Sequence, residues 1–272
     1  MKTVREPGTL DIMRSEVATL PGSPERPNED WAAAALPASG DGGTLALLDG
    51  VTPPPGDDGC VHSVPWFTAR LGGALTELSA SRADLTLSEI LSLAIRRTAE
   101  LHADTCDLSH VRTPQATVVL ARWDAEAVDH LVLSDAVLLL QAPDGSVRAV
   151  RDDRLDRIPR EVLRSHEATD RVRNREGGFF TAAADPSVAE RAVTGTTPLA
   201  EVRALAALTD GASRWVELFR AGDWTECARV LAKEGPAGLL QRVRVLETAD
   251  AAAGNVRRGK THDDATGVYV TF

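Results

Sequence analysis

The sequence predicts an α+β chain. Apolar runs of strand length come first, helical periodicities follow, strand patterns return in the middle, and helices and a final apolar run complete the order. Several of the apolar runs end in, or lead out of, acidic residues, so the polar chemistry gathers at strand ends. With 272 residues, 43% of them hydrophobic, the chain can bury a full core, and a single domain over 1–272 is expected.

Val17-Ala18-Thr19-Leu20 opens the pattern and runs into a proline-rich turn from Pro21 to Pro27. A strand over Thr44–Leu48 delivers Asp49-Gly50. Thr52 to Gly59, with three consecutive prolines and Gly-Asp-Asp-Gly, reads as a loop beside that strand end. Two helices follow. Trp66–Leu78 sets Phe67, Leu71, Ala74, Leu75 and Leu78 on one stripe, and Leu87–Ala103 begins after the cap signal at Asp84 and Thr86. Ala116–Arg122 and Asp129–Leu133 are short strands, and Val137–Gln141 with Ser146–Val150 form a hairpin over Ala142-Pro143-Asp144-Gly145. Residues 151–195 are polar without a strong period, which predicts a mobile surface flap. Helical patterns return at Ser213–Arg220, Trp224–Lys233 and Pro236–Glu247, and Val268–Phe272 closes the chain as a strand.

The net charge of −10 is spread along the whole chain. That disfavours nucleic acid and anionic membrane as partners, because both want a basic face. Cys60, Cys106 and Cys227 are an odd number without CxxC spacing, so they read as free thiols rather than a disulfide framework or a zinc site. Met1 to Pro7 lacks the apolar stretch of a signal peptide, and no apolar run approaches the ~20 residues that cross a bilayer. A cytoplasmic location is expected.

The acidic clusters are Asn28-Glu29-Asp30, Asp49-Gly50, Ser134-Asp135, Asp210-Gly211 and Asp263-Asp264. A carboxylate at the end of a buried strand is costly unless a positive charge meets it. No Lys or Arg lies within three residues of Asp49, Asp135 or Asp210. Hard divalent cations are natural partners for oxygen ligands brought together in this way. Either Asp-Gly pair alone would more often be a plain turn after a strand.

The ordered set Asn28-Glu29-Asp30, Asp49-Gly50, Thr113-Pro114-Gln115-Ala116-Thr117, Ser134-Asp135, Asp210-Gly211 and Asp263-Asp264-Ala265-Thr266 resembles the type 2C, metal-dependent serine/threonine protein phosphatases over roughly residues 15 to 272. The chain looks like a divergent, bacterial-like member. The resemblance implies an α-β-β-α sandwich of two antiparallel sheets flanked by helix pairs, with metals in a cleft at one end. It implies hydrolysis of phosphoserine and phosphothreonine on phosphorylated protein substrates. Two Mn2+ or Mg2+ ions, with a weaker third, would activate a bridging water.

By the same resemblance Asp49 bridges both metals and the Gly50 carbonyl completes one sphere. Asp210 and Asp263 hold the second ion, Glu29 and Asp30 act directly or through water, and Asp135 joins Asp210 at the third. Arg26 is the candidate for gripping substrate phosphate, since a guanidinium can fork two phosphate oxygens. Departures from the family pattern are also present. Val51-Thr52-Pro53 replaces the usual His-Gly-Gly or Met-Gly-Gly, leaving His62 or His262 as proton donors. Ser134-Asp135-Ala136 replaces Gly-Asp-Ser, and Asp264 replaces an asparagine. The alternative reading is a pseudophosphatase that keeps the sandwich as a binding module without turnover.

Overall fold

The computed structural model describes residues 13–37, 39, 42–253 and 260–272; Met1 to Pro7, read above for a leader, lies outside them. Ten strands form two antiparallel five-stranded sheets. In chain order they begin with β1 (Arg14–Leu20), β2 (Trp31–Ala35) and β3 (Gly43–Gly50). Helices α1 (Val64–Ser81) and α2 (Leu87–Glu100) follow. The middle strands are β4 (Ala116–Trp123), β5 (Ala127–Leu133), β6 (Val137–Gln141) and β7 (Val147–Val150). Short helices α3 (Arg160–Leu163) and α4 (His166–Val172) precede β8 (Val193–Pro198) and β9 (Ala204–Leu208). The chain finishes with α5 (Asp210–Glu217), α6 (Trp224–Ala252) and β10 (Ala265–Thr271). One sheet runs β1-β10-β9-β6-β7 and the other β2-β3-β4-β5-β8.

Strand β3 shows why the apolar runs are continuous rather than alternating. Its side chains point to opposite faces in turn. Leu45 and Leu47 enter the core between the sheets, while Ala46 and Leu48 enter the core beneath α1 and α2. Val119 and Ala121 divide from Val118 and Leu120 on β4 in the same way. A third core joins β6, β9 and β10 to α5 and α6 through Leu139, Ala206, Tyr269, Trp215, Leu231 and Leu240. The sandwich therefore has four layers, with both faces of its central strands dry.

Local signals set the helix boundaries. Ser63 caps α1 by accepting from the Trp66 amide, and Thr86 with Glu89 forms a capping box at α2. A second box, Asp223 with Glu226, starts α6. The two helical patterns read at Trp224–Lys233 and Pro236–Glu247 are two helical stretches within the α6 span, separated where Gly235 leaves helical geometry at a φ of 68° before Pro236.

The 151–195 segment differs from a structureless flap. It carries α3, α4 and a 3-10 turn at Pro186–Arg191, and its end belongs to edge strand β8, paired with β5. Phe179 to Ala183 are buried, with Ala182 bridged to Ala116. A strand of Val-Thr-Gly-Thr-Thr-Pro has no apolar alternation to betray it. Among the described residues no helix is long and apolar enough to cross a membrane.

Candidate metal centre

The pleat decides what faces the cleft. Continuing Leu45 and Leu47 by two residues puts Asp49 on the inter-sheet face, at the end where the apolar core stops. Thr209 and Thr266 take the same face of the other sheet, in step with Leu205, Ala207, Val268 and Val270. Glu29 and Asp30 arrive on the segment just before β2, Asp135 lies between β5 and β6, and Asp210 opens α5. Each of these acids is half-buried, as befits the lining of an open cleft.

The carboxylates converge electrostatically. Burial pushes the Asp49 carboxyl well above its usual range, and the charges of Asp30, Asp210, Asp135 and Asp263 push it further. Burial also raises Asp30 to about 8, with Asp264 and Asp210 adding to it against hydrogen bonds from Thr266 and Thr209. Glu29 is raised by burial, opposed by the Thr52 hydroxyl and the charges of Lys260 and Arg26. The Asp210 amide, at the start of α5, donates to Asp49 Oδ2 at 3.2 Å. Thr209 Oγ1 donates to Asp30 Oδ2 at 3.0 Å. Asp30 Oδ1 is buried with no hydrogen-bond partner.

An orphaned carboxylate oxygen among mutually repelling acids is what a hard cation would satisfy. The donor set is all oxygen, which suits Mn2+ or Mg2+ and not a thiolate-seeking metal. The residues present fit a divalent centre.

Neither Asp-Gly pair is a turn. Gly50 lies in a strand and Gly211 in a helix, and neither has positive φ. Their smallness serves close approach: a Cβ on Gly50 would sit 2.6 Å from the Glu29 carbonyl oxygen, and one on Gly211 only 1.9 Å from that of Asp264. The glycines let four acidic segments approach in two close pairs.

The last acidic pair is divided by its surroundings. Asp264 Oδ1 accepts from the Gly22 amide at 2.7 Å and Oδ2 from the Glu29 amide at 2.9 Å, clipping the amino-terminal segment against the site. Asp263 turns to cations: Arg214 Nη2 at 2.6 Å and Lys260 Nζ at 2.9 Å. Local spacing missed these partners. Arg214 is buried on α5 and also pairs with buried Glu247, which Arg244 and His262 meet in turn. Lys260 additionally donates to Thr52 Oγ1 at 3.1 Å. Arg214, four residues after Asp210 and so one helical turn away, was the available signal.

Arg26 is exposed on its proline-bounded turn, and it reaches the cluster through its charge acting on Glu29. His262 Nδ1 lies 2.9 Å from Glu247 Oε2. His62 stacks on Trp66 at 4.0 Å, among Cys60, His102 and Cys106. Beside Asp135, the Ser134 amide donates to buried Asp152, itself held by Arg154, which roots the 151–195 segment next to the site.

Solved structures of the same architecture cover nearly all of the chain. The serine/threonine phosphatase Stp1 from Staphylococcus aureus aligns with a TM-score of 0.62 at 14% identity, over 100% of this chain and 99% of that one. The catalytic domain of the serine threonine protein phosphatase PstP, in complex with 2 manganese ions, aligns with a TM-score of 0.61 at 17% identity, over 95% and 97%. The Mycobacterium tuberculosis serine/threonine phosphatase PstP/Ppp aligns with a TM-score of 0.61 at 16% identity, over 96% and 98%. No family model and no curated protein matches the sequence. The likeness read from the acidic motifs is thus borne out in the fold: this chain shares the architecture of these solved serine/threonine phosphatases.

Proposed function

We propose that this chain is a metal-dependent phosphatase of phosphoserine and phosphothreonine in proteins, using Mn2+ or Mg2+. The observation that carries the reading is the convergence on Asp49 of acids from segments across most of the chain, with Asp30 Oδ1 left unsatisfied. The manganese complex of the similarly folded PstP domain supports it. Asp49, the Gly50 carbonyl, Asp210, Asp263, Glu29, Asp30 and Asp135 are the proposed ligands. Divalent ions supply, when bound, charge neutralisation for phosphoryl oxygens and a water acidic enough to react near neutral pH.

The chain's own residues prepare that centre. Asp49 is oriented by the Asp210 amide. Asp30 is held by Thr209, and Glu29 by Thr52. Arg214 fixes Asp263 while Asp264 anchors the Glu29 backbone. Arg26 is proposed to meet substrate phosphate from the rim. Phosphorylated proteins are the proposed partners, in a cytoplasmic setting.

Manganese-dependent hydrolysis of para-nitrophenyl phosphate and of a phosphothreonine peptide tests the proposal. Chelation should abolish both reactions. Loss of an outer partner of a metal ligand commonly costs 10–100-fold, so Asp49→Asn and Asp210→Asn should each cost more than about 100-fold. Asp57→Asn, in the Gly-Asp-Asp-Gly loop, should retain activity. Manganese binding without turnover of either substrate would overturn the phosphatase reading in favour of a binding module.

A further inference from the structure

The structure assigns a second metal site, outside the acidic cleft: we propose that Cys60, His62, His102 and Cys106 bind one Zn2+ as a structural staple. Their ligand atoms all lie within 4.8 Å of one another. All three cysteines are free thiols, as the lack of CxxC spacing led one to expect, but Cys60 and Cys106 are neighbours in space. The four ligands come from two distant stretches that only the fold brings together, Cys60-Val61-His62 and His102-Ala103-Asp104-Thr105-Cys106.

Local geometry presents each pair. The Cys106 amide donates to the His102 carbonyl at 3.0 Å, so one more helical turn beyond α2 places both side chains on one side. On the facing loop, the Asp58 carboxylate accepts from the Cys60 amide at 3.0 Å and fixes its approach. The Asp107 amide donates to the Gly59 carbonyl at 2.7 Å and holds the two stretches in register.

The distances suit a tetrahedron. Zn–S bonds of about 2.3 Å and Zn–N bonds of about 2.0–2.1 Å give S–N edges of about 3.5 Å and an S–S edge of about 3.8 Å. Cys60 Sγ lies 3.4 Å from His102 Nδ1 and 3.7 Å from His62 Nδ1, and Cys106 Sγ lies 3.4 Å from His62 Nδ1. The sulfurs, 2.7 Å apart, are the pair that must part on loading. They are too far apart for a disulfide bond of about 2.0 Å. His102 is 2% exposed, and its Nε2 has no partner. A metal bond at Nδ1 accounts for burying that ring. Trp66 shields the group, its ring centroid 4.0 Å from that of His62 and 5.3 Å from that of His102. Two thiolates and two imidazoles with no open position form a closed, structural zinc set rather than a catalytic one.

The staple would tie the loop after β3 to the end of α2. That loop carries Thr52, which donates to Glu29 in the acidic cleft. Zinc here would therefore brace one wall of the cleft without taking part in its chemistry.

Elemental analysis and thiol titration of the full chain, purified under reducing conditions with zinc supplied, test the assignment. The expected result is about one zinc per chain, with three titratable thiols after unfolding in chelator, matching the three cysteines. Cobalt(II) in place of zinc should give the thiolate charge-transfer and visible absorption of a tetrahedral sulfur site. That signature should vanish in Cys106→Ser and persist in Cys227→Ser and Asp49→Asn, so acidic-cleft binding cannot imitate it. Should Cys106→Ser fail to fold, the wild-type cobalt spectrum and zinc count still decide. One thiol and no zinc in a parallel preparation without reductant would replace the site by a Cys60–Cys106 disulfide. Three thiols with substoichiometric zinc and no cobalt–thiolate band would remove it altogether.

Discussion

Asp30 illustrates how a single carboxyl ties protonation to metal binding. Its folded value of about 8 stands far above the ~3.9 of a free aspartate. Between those values the folded, metal-free protein holds a proton that the unfolded chain has released. The stability slope with pH is set by protons bound unfolded minus folded, so this group makes stability fall as pH rises from about 4 towards 8. Comparison with Asp30→Asn cancels the oppositely signed surface carboxylates such as Glu77 and Asp84. In chelator, the wild type should lose Tm relative to the variant between pH about 5.5 and 8; a constant difference would contradict the assignment. Lys260 offers the complementary test. Burial opposes its charge, but Asp263, Asp210 and Asp49 outweigh that and raise its pKa, leaving an ammonium where cations compete. A part-exposed ion pair contributes up to about 1 kcal/mol, so Lys260→Gln should tighten Mn2+ binding by roughly 2–5-fold in calorimetric titration.

At the scale of elements, α5 is positioned by contact with the strand beside it. Gly211 sits in its first turn, against the Asp264 carbonyl just before β10. In an ordinary helix interior Gly→Ala gains about 0.5–1 kcal/mol. Gly73, on the exposed side of α1, has nothing within 4 Å of the place a Cβ would take and should follow that rule. At Gly211 the added carbon meets backbone that cannot rotate away. Gly211→Ala should instead cost about 1–3 kcal/mol in denaturant unfolding and weaken Mn2+ binding, because Asp210 moves away from Asp49. Equal effects at the two glycines would show that the contact is not rigid.

For the whole molecule, the cleft concentrates repulsion at one end of a sandwich whose remaining layers are apolar. A cation that binds only the folded state stabilises it by mass action, about 2.7 kcal/mol at 100 times Kd. For a domain of this size that corresponds to a rise in Tm of roughly 5–10 °C. Differential scanning calorimetry should record this rise with Mn2+ for the wild type and none for Asp49→Asn. The variant should remain folded, since it loses a buried charge and no apolar contact. Unfolding of Asp49→Asn in the absence of metal would instead assign Asp49 a structural role.

Periodicity, caps and turn residues are local, so the sequence by itself determined the helices after Asp49, the 137–150 hairpin and the α+β order. The apolar run before Asp49 read as a buried strand, and the structure divides its side chains between two cores. The family pattern placed the acids in order along the chain. Strand β8 stayed hidden because an exposed edge needs no apolar alternation, and β2, five residues of Trp-Ala-Ala-Ala-Ala, has little strand character of its own. Only the tertiary structure decided which neighbour each acid meets. Asp263 and Asp264 are adjacent and chemically alike, yet one pairs with Arg214 and Lys260 while the other clips Gly22 and Glu29. Likewise, Cys60 and Cys106 are 46 residues apart and become neighbours only when the loop after β3 folds onto the end of α2. Such pairings depend on strand pleat and on which layer covers which, and no spacing along one chain encodes them.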